Sequence, residues 1–225
     1  SKSIFKDNKV NFDNIKIEPI KNKRKLNIVV YIHDFFDSPH AYGKLRYPDF
    51  YEWLNYICRE LIKLNCNFYL KTHIDASELT IKQTKKFVNL YYPKINLLNK
   101  DTKINQILKL ADLVVTAYGT CSTELPYLGL PVICTDINPF RSFDFIYTLK
   151  KDEELSDVIL NNKLWEIKDI KTLQREIEQY CYLHYNHFYN NLFKKASYQY
   201  KNNSSEYNHS KKIIDDFIKK IVSRN

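Results

Sequence analysis

Residues 111–140, ADLVVTAYGTCSTELPYLGLPVICTDINPF, constrain the fold more than any other stretch. Residues 113–116 are apolar toward both sides and read as a short buried strand. Residues 118–123 follow with one glycine and three hydroxyl residues. Residues 124–128 have room for one or two helical turns, closed by Gly129, and residues 130–134 read as a second buried strand. Strand, tight loop, short helix and strand in about thirty residues make one βαβ unit, a connection that builds a parallel sheet.

The rest of the chain extends this alternation. Residues 26–32 (LNIVVYI) are a strand, ending in a polar and aromatic loop that begins His33-Asp34-Phe35-Phe36-Asp37. Residues 48–64 carry Phe50, Trp53, Leu54, Ile57, Leu61 and Leu64 at helical spacing. Residues 68–71 are a second strand, 77–90 a helix with Ser77 as N-cap, 95–98 a third strand and 102–110 a helix. Five β–α alternations with short connections predict an α/β fold, a Rossmann-like doubly wound parallel sheet of order 3-2-1-4-5. Its switch point falls between the strands ending at Ile32 and Thr116, where such sheets bind ligands. The loops 33–43 and 118–124 meet there. Residues 1–25 read as a linker or arm, 26–150 as the sheet domain and 151–225 as C-terminal helices packed on or beside it. Those helices are expected over 152–160, 171–193 and 204–221. Tyr180, His184 and Phe188 fall four apart, as do Tyr185, Tyr189 and Phe193, a two-sided aromatic pattern that points to packing on both sides.

Composition bounds the function. The chain has 225 residues, 44% hydrophobic, with no apolar run long enough to span a bilayer and no secretory signal. It contains no methionine and reads as part of a longer protein. Five cysteines without C-x-x-C spacing fit a reduced, cytoplasmic setting and argue against a structural zinc site. Cys121 is the one placed like a nucleophile, but no pattern sets a base beside it. The net charge of +9 fits nucleic acid, an anionic membrane surface or phosphorylated substrates. Its lysines are scattered, in 21-KNKRK-25, 82-KQTKK-86 and 211-KK-212, with no aromatic interleaving, so nucleic acid is not expected as a partner.

The central loop suits phosphate. Free backbone N–H groups at a helix start bind anions, Gly119 allows close backbone approach, and Thr120, Ser122 and Thr123 add hydroxyl donors. Pro126 lacks an N–H and fits a first turn, which predicts a helix start at Ser122 or Thr123. Glu124 then either compensates the helix dipole or accepts two ribose hydroxyls. Plain strand–helix packing fits the same spacing. Neither G-x-x-x-x-G-K-[ST] nor G-x-G-x-x-G is present. No D-x-D motif occurs; His184 and His187, at i and i+3, are the one spacing suggestive of a metal pair, without carboxylate or cysteine ligands nearby.

Residues 112–133, DLVVTAYGTCSTELPYLGLPVI, resemble the donor-side signature of bacterial GT-B glycosyltransferases of capsule and other surface-polysaccharide synthesis. That signature has the form aD-apolar-apolar-x-G-T-x-x-x-E-x-x-x-x-G-x-P-V-I. The preceding I-N-x-I-L-x-x-A-D from Ile104 also matches, and Leu70-Lys71-Thr72-His73 is similar to the K-P-H segment that ends the second strand. Thr72 stands for the usual proline, Ser122 for a frequent glycine, and Pro126 for a small helix former. The resemblance covers residues 26–145, the nucleotide-sugar half of such enzymes. It implies that Glu124 contacts ribose, that Tyr118, Gly119, Thr120, Ser122 and Thr123 face the phosphates, and that Lys71 and His73 lie near the donor. It implies no metal or other cofactor, the leaving diphosphate being stabilised by basic side chains and the helix dipole. His33 and Asp37 are candidates for the reacting end, as acid/base or sugar contacts; the alternative is a strand-end loop fixed by its own Asx and Ser turns. The implied partners are a nucleotide-sugar donor, a glycan acceptor held by an N-terminal domain, and peripheral contact with an anionic membrane at its inner face. A polyol-phosphate transferase or sugar epimerase uses a similar scaffold, and a noncatalytic basic adaptor for membrane or RNA is the rival from another class.

Overall fold

Strands buried on both faces need no polar alternation, and parallel strands joined by helices are of that kind. The computed structural model describes residues 25–37, 43, 45–161 and 169–184. The elements run β1 (Leu26–Ile32), α1 (Phe50–Ile62), β2 (Cys66–Thr72), α2 (Glu78–Tyr91), β3 (Asn96–Leu98), α3 (Ile104–Leu110), β4 (Leu113–Thr116), α4 (Cys121–Tyr127), β5 (Val132–Cys134), β6 (Tyr147–Thr148), α5 (Leu155–Leu160) and α6 (Ile170–Cys181). The chain divides into two compact units, Ser1–Leu173 and Gln174–Asn225.

The first unit is a Rossmann-like α/β fold. Its six strands lie in the order β3-β2-β1-β4-β5-β6, all neighbours parallel. The expected order of five strands is present, and β6 adds a sixth at the edge. With two residues it is too short to show a period; it is placed by pairing with β5 and by the Leu149 N–H bond to the Cys134 carbonyl (2.8 Å). The chain steps outward from β1 to β3 and, after crossing back, from β4 to β6. Right-handed crossovers therefore put α1 and α2 on one face and α3 and α4 on the other.

On the first face one apolar cluster joins Ile28, Val30 and Ile32 of β1, Leu70, Leu113, Val115 and Ile133 to Trp53, Leu54, Ile57 and Leu61 of α1 and to Leu155 and Ile159 of α5. The ends of these elements are closed by side chains. Asp49 caps α1 by accepting from Glu52 N–H (2.8 Å), and Ser77 caps α2 as expected, accepting from Thr80 N–H (3.2 Å). Buried Glu60 closes the start of α5 from across the fold, accepting from Ser156 N–H (3.2 Å) and Oγ (2.7 Å) and pairing with Lys63. Asp112 fixes the start of β4 against β1: its carboxylate accepts from Asn27 N–H (2.9 Å), and its own N–H donates to Asn27 O (2.8 Å).

The short helix differs from expectation at its start and is closed by Gly129 as expected. It starts at Cys121, with Thr120 as N-cap, so Pro126 sits inside it rather than in its first turn. The missing proline N–H costs one bond to the preceding turn, and the helix runs only one residue further, to Tyr127. Leu128 and Gly129 N–H donate to Leu125 O and Pro126 O, and Gly129 takes φ +83° to leave the helix. In the second unit the Tyr180 and His184 rings stack at 5.2 Å. Tyr185, His187, Phe188, Tyr189 and Phe193, and the expected helix over 204–221, lie outside the described residues. Among the described residues no helix is long and apolar enough to cross a membrane.

Candidate functional site at the switch point

The strand order reverses between β1 and β4, and sheets of this kind bind ligands in the crevice beyond the C-terminal ends of the strands at that point. His33 leaves β1 there and Tyr118 to Thr120 leave β4. The two loops touch: Tyr118 N–H donates to His33 Nε2 (3.4 Å), and the two rings lie 4.6 Å apart. The imidazole also stacks on Phe50 at 4.7 Å and 10°. Gly119 has φ +150°, a conformation open to glycine and strained for other residues. A Cβ on it would stand 3.7 Å from His33 Cε1, so space alone would admit alanine and the backbone angle would not.

Burial pushes the His33 pKa down to about 4; His73 adds to the lowering, while the Tyr118 backbone and the Asp37 charge pull the other way. At neutral pH the ring is uncharged, and Nε2, facing an N–H, is an acceptor. A general base is most effective with a pKa near the working pH. This imidazole is instead suited to hydrogen bonding and stacking. Asp37 is exposed on the same loop. The loop is held by Asp34, which was not among the expected site residues. Asp34 accepts from Phe36 N–H (2.9 Å) in an Asx turn, and from Ser77 N–H (2.6 Å) and Thr80 Oγ1 (2.8 Å) at the start of α2. Partial burial works against its ionisation, but these bonds outweigh burial and bring its pKa to about 2.

Thr120 is exposed at the start of α4. Ser122 and Thr123 are turned inward. The Ser122 hydroxyl lies 3.1 Å from Cys134 Sγ, and the Thr123 hydroxyl donates to Thr120 O (2.9 Å). Their side chains serve the packing of α4, which leaves the backbone and Thr120 as the groups of this turn open to a ligand. Glu124 is partly buried in the first turn; burial chiefly raises the pKa of both Tyr31 and Cys121, and the Glu124 charge adds to it. Burial first and Glu124 second push the Cys121 thiol up to about 12, so it is a thiol and not a thiolate at neutral pH.

Lys71 enters a buried row. The register sets Tyr31 beside both Lys71 and Thr116, and Thr116 beside Cys134, so the four side chains share the face that carries α4. The Lys71 ammonium is 5.2 Å from the centre of the Tyr31 ring and donates to Lys100 O (3.1 Å) and Thr72 O (3.3 Å). Burial lowers its pKa, opposed by Cys121 and Asp101. Tyr31 was missed in the sequence because it sits inside an apolar strand. The available signal was register: it is the neighbour of Lys71 one strand over. His73 is exposed on the rim, its Nδ1 accepting from Asp75 N–H (3.1 Å). Among the described residues no group of three or more His, Cys, Asp or Glu is placed to hold a metal ion.

No protein-family model matches this chain, and no curated protein matches it in sequence. The resemblance to GT-B glycosyltransferases therefore rests on the motifs in residues 70–73 and 104–133 alone.

Proposed function

We propose that the β1–β4 crevice binds a nucleotide-sugar donor, and that the chain is the donor-binding part of a glycosyltransferase that builds capsular or other cell-surface polysaccharide. The observation that carries the reading is the meeting of His33 with Gly119 at the switch point, where a glycine-only backbone angle leaves one turn of main chain uncovered by a side chain. In this proposal the diphosphate lies along Gly119 and Thr120, with Tyr118 beside it. Glu124 accepts the ribose hydroxyls, Lys71 supplies positive charge from the β2 side, and His73 supplies a hydrogen bond. His33 and Asp37 contact the sugar, His33 through its neutral ring. The binding uses no metal, the phosphate charge being offset by main-chain N–H groups and basic side chains.

Calorimetric titration with UDP, GDP and CMP tests the proposal. One nucleotide class should bind saturably and equally well in EDTA. Glu124→Gln should weaken it by roughly ten- to a hundredfold, because charge-assisted bonds of about 1.5–3 kcal/mol are at stake. The 2′-deoxy nucleotide should lose much less. Absence of binding by every nucleotide, or equal affinity of a normally folded Glu124→Gln, would overturn the reading.

A further inference from the structure

Neighbouring strands deliver neighbouring turns. Ile32 pairs with Thr72, so β1 and β2 end side by side and the chain leaves them through His33 and His73. Each strand is followed by a hydrogen-bonded turn, closed by Asp37 N–H to Asp34 O (3.1 Å) and by Ala76 N–H to His73 O (3.1 Å). Asp34 ties the two together, its carboxylate accepting from Phe36 N–H in the first turn and from Ser77 N–H just after the second. Phe35 N–H adds a bond to Thr80 Oγ1 (3.1 Å), and the Phe35 ring packs edge-on to Tyr51 at 5.7 Å. Phe36, the next residue, is instead 65% exposed. Ile74 in the second turn is 53% exposed, and Leu79 in the first turn of α2 48%. One exposed apolar side chain is ordinary on a protein surface. Three on one bonded frame, at the β2 side of the crevice, are held in water by the main chain that carries them.

We propose that this rim is a saccharide-binding subsite, with Phe36 as the platform on which one sugar ring lies. A sugar ring carries C–H groups on its face and hydroxyls around its edge. It therefore suits an exposed aromatic ring flanked by hydrogen-bonding groups. Asp37, exposed beside Phe36, is an acceptor. His73, exposed beside Ile74, accepts from Asp75 N–H at Nδ1, which makes its Nε2 a donor. A protein partner fits less well, because the three apolar side chains expose about 300 Å² together, against about 800 Å² per partner in a stable interface. That the saccharide is the end of the acceptor glycan rests on the nucleotide-sugar reading of the adjoining crevice; the subsite itself does not.

Binding of the fluorescently labelled full chain to an array of bacterial surface oligosaccharides tests it. At least one oligosaccharide should be bound. Phe36→Ala should weaken that binding about three- to tenfold, and Phe36→Trp should retain it. Ile74→Ser should cost about two- to threefold. Leu90→Ser is the control: Leu90 is 63% exposed at the far end of α2, and its loss should change binding by less than about twofold. Circular dichroism checks the fold of each variant, and calorimetry with UDP, GDP and CMP checks the crevice, where Phe36→Ala should leave nucleotide affinity unchanged. Saccharide binding that depends on Phe36, without binding of any nucleotide, would keep the subsite and remove the transferase reading. Binding of no oligosaccharide, or equal binding by Phe36→Ala, would overturn the subsite whatever the nucleotides do. So would a loss in Leu90→Ser as large as in Phe36→Ala, which would mark general adhesion of exposed apolar groups.

Discussion

The two faces of the central sheet are made by alternate residues of the same strands, yet they are built on different terms. Beneath α1, Ile28, Val30, Ile32, Leu70, Leu113 and Val115 meet Trp53 and Leu61 with almost no polar atom between them. One step along each strand, facing α4, the terminal row is Lys71, Tyr31, Thr116 and Cys134, roofed by Cys121 and Ser122. Burial disfavours the charged forms of Lys71, Tyr31 and both of these cysteines. The first face thus gains stability from apolar area throughout, while the second, apolar at Val29, Val114 and Val132, ends under the crevice in hydrogen-bonding groups held at a cost in desolvation. The polar chemistry is confined to the terminal row of the second face, and substitutions there should behave differently from those in the apolar face beneath α1.

The largest effect should come from the apolar face. Trp53 is fully buried and its Nε1 donates to Thr135 Oγ1 (2.6 Å), so Trp53→Ala removes core volume and one of the two hydrogen bonds of a buried hydroxyl, which still donates to Thr116 O (3.3 Å). A loss of about 3–5 kcal/mol is expected in urea unfolding, with Trp53→Phe losing clearly less. A loss near 1 kcal/mol for Trp53→Ala would mean that this face is not the main source of stability.

The junction between the faces should report through pH. The folded-state pKa of His33 lies at about 4, below the ordinary 6.5. The unfolded chain therefore binds the proton first, and stability falls as the pH drops from 6.5 through 4. The full contribution, present above pH 6.5, is about 3 kcal/mol at most. Asp34, with its pKa near 2, acts only below its ordinary 3.8 and so in a separate window. His33→Phe should flatten the stability profile between pH 6.5 and 4 and leave the fall below pH 4 in place. An unchanged profile in that variant would remove the buried neutral imidazole from the picture.

The division of labour also explains what could be read from the sequence. β1 and β4 match their expected bounds because each is built on a short apolar run, residues 28–32 and 113–115. Ser77 was legible as a cap because the hydroxyl and the following helical period adjoin in sequence. The switch point followed from chain order alone. The inward turn of Ser122 and Thr123 did not, because a hydroxyl at a helix start has the same spacing whether it faces a ligand or Cys134. Nor did the pairing of Lys71 with Tyr31, which are forty residues apart and meet only through strand register. Asp34 was hidden for the same reason: its partners Ser77 and Thr80 belong to another element.

Gly119 tests the crevice itself. Its φ of +150° lies in a region that costs a residue with a side chain about 1–3 kcal/mol, while the added Cβ would meet His33 only at ordinary contact distance. Gly119→Ala should therefore destabilise by that amount through backbone strain, and should weaken nucleotide binding by more than the same change in stability explains. Unfolding and calorimetry on one preparation separate the two. A destabilised protein with unchanged affinity would move the ligand away from this turn.

The smallest stability effect should come from Lys71, although it is as buried as many core residues. Lys71→Met keeps most of the volume and removes an ammonium that burial already disfavours. The lost hydrogen bonds are to the carbonyls of Thr72 and Lys100, and Lys100 lies on an exposed loop where water can replace the donor. Replacing a buried ion by an apolar residue of similar size is often neutral or stabilising, so a change within about 1 kcal/mol of zero at pH 7 is expected. The sign of its pH dependence is fixed by the lowered pKa. The unfolded chain holds the lysine proton longer, so the wild type should gain on Lys71→Met as pH rises toward 10.5 and lose that gain as pH falls. If Lys71 serves the donor, the variant should bind nucleotide more weakly while remaining as stable as the wild type. A Lys71→Met loss as large as that of Trp53→Ala would show that the polar row is structural after all, and the contrast between the two faces would fail.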